Sequence, residues 1–390
     1  MATEAPSSRP PAGALSVRYA LFYAALFLTI GIYVPFWPLW LAGRGLSPGE
    51  IGIIFALGSW SRIVANPAMA RIADRSRNGK AVVVVLSATA LLIFTGFISA
   101  QGFWLLLAIN LAAALAHQPI MPLAESQTMA AVVRGRLDYG RIRLWGSLAF
   151  IVGTVGAGRL MSGRDAEIVL YLILAGLALT FACALALPRQ EAPAGVRASG
   201  GMRALITKPQ FMIFLLAAGL LQASHAAYYG FSALHWRTAG LSETAIGWLW
   251  AEGVIAEVAL FAVSGAAFAR LGARGLLGVA AVAGMVRWTV MGATTGLTSL
   301  IAIQVLHAAT FGAAHLGAMH FIARQAPPGQ AATAQALYSV ISGVAVGLAM
   351  WTAGRIFEAH GPIAFQAMAV LSAFAGALLM APMLNKKKPG

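Results

Sequence analysis

Arg62, Glu257 and Arg287 fall inside long apolar runs, where a helix would hold them within a bilayer. A charge near mid-bilayer costs about 2.5–3.5 kcal/mol on insertion scales, so such residues face a wet cavity and serve a function. At 1.5 Å per residue, Glu257 and Arg287 are each expected about 18 Å from the same membrane face, close enough to pair. Arg62 and Glu257 lie 195 residues apart, half of the 390-residue chain, so matching positions of the two halves carry opposite charges. His225 and Tyr229 are i, i+4 neighbours on one helical face, with Tyr228 beside them. Trp37, Trp40, Trp60, Trp248 and Trp250 are candidates to wall a path for an aromatic ligand, although Trp40 and Trp236 near helix ends read first as interfacial anchors. His117 precedes Pro119 and Pro122, which should bend its helix.

The elements that must hold these residues are membrane helices. The chain is 59% hydrophobic and 10% charged, against about 25% charged for soluble domains. Twelve apolar spans are expected: 16–41, 49–71, 80–99, 103–127, 142–162, 166–187, 209–236, 243–269, 275–293, 298–323, 331–354 and 361–384. Gly45-Leu46-Ser47-Pro48-Gly49-Glu50-Ile51-Gly52 recurs as Gly240-Leu241-Ser242-Glu243-Thr244-Ala245-Ile246-Gly247, again 195 residues on. A repeated half predicts an all-α protein of two pseudo-symmetric six-helix bundles around a central path. The domains expected are a disordered N-terminus (1–15), a bundle (16–187), a linker (188–208), a second bundle (209–384) and a basic tail (385–390). With an even number of spans both termini share one side. Segments on that side hold 20 Lys and Arg against 5 opposite, which puts the termini in the cytoplasm. The net charge of +15 therefore reports orientation and not nucleic-acid binding.

Soluble-enzyme motifs are missing. No GxxxxGK[ST] loop is present, so this chain does not itself use ATP to drive transport. Cys183 is the single cysteine, and His307, His315 and His320 have neither the spacing nor the companions of a metal site. No cofactor, metal or enzymatic activity is expected. The expected partners are a small-molecule substrate, protons and the lipid bilayer, with the chain acting as a monomer.

Ala70-Arg71-Ile72-Ala73-Asp74-Arg75-Ser76-Arg77-Asn78-Gly79-Lys80 resembles the loop after the second helix of the major facilitator superfamily, with its Asp-Arg core at Asp74 and Arg75. The resemblance implies that these two latch the halves in one access state. Asp138-Tyr139-Gly140-Arg141-Ile142-Arg143-Leu144-Trp145-Gly146-Ser147 resembles the entry to the fifth helix of lactose-permease-like proton symporters, and looks closest to the bacterial 3-phenylpropionate permease family. Ser224-His225-Ala226-Ala227-Tyr228-Tyr229 and Leu306-His307-Ala308-Ala309 extend that similarity into the second half.

The resemblance implies proton-coupled uptake of a small aromatic carboxylate by alternating access, in a bacterial inner membrane. It implies that Glu125 and Arg143, 18 residues apart, bind substrate jointly. His307 follows Arg287 by 20 residues and matches the family's proton-coupling histidine. Thr310 stands where those carriers have a glutamate, which leaves Glu257 or Glu252 as the titrating carboxylate. A histidine near its ordinary pKa of about 6.5 is itself able to carry a proton. Arg62, Arg143 and Arg287 are cations for a carboxylate, with Tyr228, Tyr229, Trp60 and Trp248 as aromatic walls. Sugar or nucleoside symport, drug efflux and a transport-dead sensor or assembly factor remain as alternatives.

Overall fold

A computed structural model describes residues 12–76, 78–135, 137–189, 203–327 and 330–380. The expected terminus 1–15, linker 188–208 and tail 385–390 lie wholly or largely outside the described residues. Their described edges are ordered. The first helix begins at Ala12, with Leu15 buried, and a short helix at Arg203–Ile206 buries Leu205 among Phe211 and Phe214.

In hydrocarbon a chain must satisfy its backbone hydrogen bonds internally, so the apolar runs fold as helices. The first set is α1 (Ala12–Gly43), α2 (Pro48–Ser76), α3 (Gly79–Thr95), α4 (Phe103–Val133), α5 (Tyr139–Met161) and α6 (Ile168–Ala186). The second is α7 (Pro209–Thr238), α8 (Glu243–Ala262), α9 (Ser264–Ala293), α10 (Leu297–Gln325), α11 (Ala331–His360) and α12 (Ile363–Met380). Among the described residues, 11 helices are long and apolar enough to cross a membrane by length and composition. The remaining one, α2, has 29 residues but carries Glu50, Arg62, Arg71, Asp74 and Arg75, and it packs along α11. The expected boundary between spans eight and nine moves: α8 ends at Ala262, and α9 starts at Ser264 and bends at Gly272, whose φ of 62° is left-handed.

The repeated octapeptide encodes the same turn twice. Gly45 and Gly240 adopt φ of 84° and 90°, the left-handed conformation that ends α1 and α7. Ser47 Oγ then accepts from the Glu50 N–H, and Ser242 Oγ from the Ala245 N–H, each at 3.3 Å, which caps α2 and α8.

The two sets meet along α2–α11, α5–α8 and α1–α7. At the end bearing the repeated turns, backbone lies on backbone. A Cβ at Gly354 would lie 2.9 Å from Gly52 Cα and 2.7 Å from Pro48 O, and one at Gly247 would collide with Thr154 O. Toward the other end, the second stretches of α4 (Ile120–Val133) and α10 (Ala314–Gln325) pack chiefly within their own sets. The halves therefore close at one end and diverge toward the other, leaving a cavity between them. Replacing Gly354 with Leu should wedge the closed end apart. With Cys183→Ser as background, a cysteine at the cavity residue Tyr33 should react with an impermeant thiol reagent from the closed side several-fold faster in Gly354→Leu. An unchanged rate would show that this contact does not seal the path.

Candidate functional site

The cavity has a volume of about 730 Å³ and draws its walls from both sets of helices. Three of the helices that form it are interrupted at mid-length. α4 breaks between His117 and Ile120 at Pro119, α7 breaks at Ser224–His225, and α10 breaks at Val305–Leu306 before a π-helical turn at Ala308–Ala313. Irregular backbone at membrane depth is tolerated where it lines water or protein, so these breaks mark the wet path.

One wall is basic and faces an acid. Arg62 is exposed to the cavity, its Nε 3.5 Å from Ser59 O. Arg143 lies with its guanidinium 4.0 Å from the Phe27 ring centroid. Glu125 lines the same space, and Tyr139 Oη donates to its Oε1 at 3.3 Å. The expected Glu125–Arg143 pair shares the cavity without an ion-pair contact, because Tyr139 holds the carboxylate.

The other wall carries Tyr228, Tyr229, Trp250, Glu257 and His307. Tyr228 stacks on Trp250 with centroids 4.2 Å apart. Trp250, Val254 and Glu257 are spaced i, i+4, i+7 and so share one face of α8. Trp248 and Glu252, two residues either side of Trp250, turn away from the cavity, and Trp248 is 48% exposed on the outer face. Both were expected at the site; helix phase excludes them. Of the five candidate tryptophans only Trp250 lines the cavity. Trp60 instead leans on α11, donating to Val344 O at 3.4 Å. Trp37 and Trp40 stack at 4.5 Å inside the first set, and Trp236 is fully buried. Trp40 and Trp236 are thus core residues and not interfacial anchors.

Arg287 stands one layer behind the wall, completely buried. Its Nη1 donates to His307 Nδ1 at 3.0 Å and Thr310 Oγ1 at 2.9 Å, its Nη2 donates to Gln304 Oε1, and its charge lies over the Tyr228 and Trp288 rings. The expected direct Glu257–Arg287 pair is absent because His307 stands between them, its Nε2 3.7 Å from Glu257 Oε2. Equal depth also fails. Glu257 is about 21 Å along α8 from the closed end and Arg287 about 9 Å along α9. An arginine only donates, so His307 Nδ1 is the acceptor and the ring's single proton sits on Nε2, facing Glu257. His225 is also buried behind the wall, bonded to Leu221 O at 3.0 Å and Thr310 Oγ1 at 3.2 Å. Asp74 and Arg75 are exposed at the diverging end of α2, away from the cavity.

Sequence reasoning missed the uncharged polar lining: Asn66, Asn110, Gln118, Ser147 and Gln222. Hydropathy gives such residues little weight. The spacing of Gly58, Arg62 and Asn66 (i, i+4, i+8) was the available signal.

Paired helix bundles, three interrupted helices and a charged cavity between the halves define a membrane transporter working on a small molecule. The chain belongs to the MFS_1-like family, whose profile matches residues 14–367. It is 37% identical to the probable 3-phenylpropionic acid transporter of Escherichia coli (strain K12), over 90% of this chain and 94% of that protein. It is 26% identical to the maltose permease of Geobacillus stearothermophilus over 87% and 86% of the two chains. A crystal structure of a mutant of the nucleoside transporter NupG superposes with a TM-score of 0.85 at 16% identity, covering 94% of this chain and 99% of that one. The chain is therefore a multi-pass membrane transporter of the major facilitator type and not an enzyme.

Thr310 serves Arg287 and His225 at once. Thr310→Val should leave both buried groups short of a partner and destabilise the protein by about 1–3 kcal/mol. Thermal unfolding in detergent measures this, and a Tm equal to that of the parent would show that the two groups find other partners.

Proposed function

We propose that the chain takes up a small aryl carboxylate together with a proton, by alternating access across a bacterial cytoplasmic membrane with both termini inside. The observation that carries this reading is that Arg62 and Arg143 both face the cavity with no carboxylate in contact. Of the acids there, Glu125 is bonded by Tyr139, and Glu257 faces His307 Nε2 at 3.7 Å. A guanidinium in a partly dry space receives a carboxylate bidentately. Tyr228, Tyr229, Trp250 and Phe55 give an aryl ring its apolar surround. The 37% identity to a probable 3-phenylpropionic acid transporter supports the same choice.

An anion entering against a negative-inside potential works against about 2.3 kcal/mol per charge per 100 mV, which a co-transported proton cancels. Glu257 carries that proton, and His307, held by Arg287 with Nε2–H toward Glu257, positions the carboxylate. Arg287 acts through His307 and not on the substrate. With the termini inside, the diverging end faces the cytoplasm, and Asp74 and Arg75 engage only when that end closes.

In proteoliposomes, adding 3-phenylpropionate outside should raise the external pH as substrate enters. Glu257→Gln should abolish the pH change. Arg62→Ala and Arg143→Ala should each weaken binding about 10- to 100-fold, the worth of a charge-assisted hydrogen bond. Competition by maltose or a nucleoside at similar affinity would reject the carboxylate and leave a transporter of neutral solutes.

A further inference from the structure

A base and an acid that share a partly dry cavity gain from pairing, yet among the described residues Glu125 and Arg143 make no ion-pair contact. They are not out of reach. Arg143 is near enough to act electrostatically on the Glu125 carboxylate and on the Tyr139 phenol that bonds it. Tyr139 and Arg143 are i, i+4 on α5, so their side chains leave one helical face about 6 Å apart. What keeps the charges apart is local. Asp138 caps α5, its Oδ1 accepting from the Arg141 N–H at 3.2 Å, which fixes Tyr139 as the first residue of the helix. From there Tyr139 Oη reaches the second stretch of α4 and donates to Glu125 Oε1 at 3.3 Å. A neutral donor thus takes up the carboxylate one helical turn from the guanidinium.

Arg143 has a seat of its own. Its guanidinium lies on the Phe27 ring at 4.0 Å, and Phe27 stacks in turn on Tyr23. Gly146 makes room for that seat: a Cβ there would fall 2.9 Å from Phe27 Cδ2 and 3.4 Å from Arg143 Nη1. An aromatic face attracts a cation without neutralising it and leaves the donors at its rim for a ligand. We infer that Tyr139 is a positioning residue that sets the charge preference of the site: by holding Glu125 it leaves Arg143 cationic for a substrate anion. Without the phenol, Glu125 closes on Arg143 and cancels its charge, and the cavity loses much of its preference for an acid over a neutral isostere. This inference rests on the aryl carboxylate reading, with Arg143 holding the acid. A tyrosine that only anchored the start of α5 would affect charged and neutral ligands alike.

The test uses the full-length protein in lipid nanodiscs and calorimetry with two probes, 3-phenylpropionate and 3-phenylpropanamide, which share a shape and differ in charge. The unaltered protein should bind the acid more tightly than the amide. Tyr139→Phe should lower that acid-to-amide ratio about tenfold, the worth of one charge-assisted hydrogen bond. Glu125→Gln should then raise the ratio several-fold more in the Tyr139→Phe background than in the parent, because only there does the carboxylate sit on Arg143. An unchanged ratio in Tyr139→Phe overturns the inference and leaves the carboxylate reading intact. Equal gains from Glu125→Gln in both backgrounds also overturn it, since they would report only the removal of a nearby negative charge. A parent protein that binds neither probe, or prefers the amide, removes the carboxylate reading and this inference with it. The ratio does not depend on the fraction of protein folded, and Tyr139→Leu removes the same donor should Tyr139→Phe fail to fold.

Discussion

Within a bilayer a polypeptide can leave its helical hydrogen-bonding only where water or protein stands ready to take up the freed groups. The site depends on that constraint. α4, α7 and α10 are each interrupted near mid-length, and the interruptions present His117 and Gln118, His225, and His307 with Thr310. An unbroken helix would show the cavity one stripe of side chains. A broken one re-aims its second segment and frees a turn of backbone, so one helix presents polar groups in two directions. The unbroken α2, α5 and α8 contribute the charges Arg62, Arg143 and Glu257 instead.

Arg287 shows how a cation is kept in such a place. It has no acid in contact; amide, hydroxyl and imidazole groups and two aromatic faces surround it. A buried arginine held this way depends on every member of its shell, since its Nε is already without a partner and each loss leaves a further donor unpaired in a low-dielectric region. His307 belongs to that shell on one side and to the cavity on the other. Its tautomer is therefore set by a residue that the cavity never meets. That is the ordering a second layer gives to a working histidine in metal sites, here supplied by an arginine.

Much of the architecture was legible in the sequence because membrane helices are coded by bulk apolar runs and the repeat is coded by a turn. Gly45-Leu46-Ser47 and Gly240-Leu241-Ser242 could be matched because each pairs a left-handed glycine with a capping serine, a need that does not change with surroundings. The charges within spans were legible because their insertion cost makes them rare. Which face of a helix looks inward was not. Trp248 and Trp250 are equally apolar on paper, and only the phase of α8 sends one to lipid and the other to the cavity. Depth misled for a related reason: α8 ends at Ala262 and not at 269, and α9 bends at Gly272, so the expected level of Glu257 moved. The uncharged groups around Arg287 and Gln118 carry no signal in hydropathy at all.

The seam that shuts one end of the path has a further consequence. Among the described residues the ion pairs near it lie within one half: Arg44 with Glu167, Arg237 with Glu243, and Arg355 with Glu358. What crosses between the halves there is chiefly glycine against backbone, with Thr244 Oγ1 donating to Gly158 O at 3.5 Å and the Glu358 carboxylate lying against Gly49. Helices in lipid have little hydrophobic reason to associate, so that contact is held mainly by dispersion, which fades within an ångström of separation. Such a seam parts abruptly, without passing through a half-open state stretched on long-range attraction. Among the described residues no ion pair crosses it, so ionic strength has little hold on when that end opens. The timing is left to what occupies the cavity.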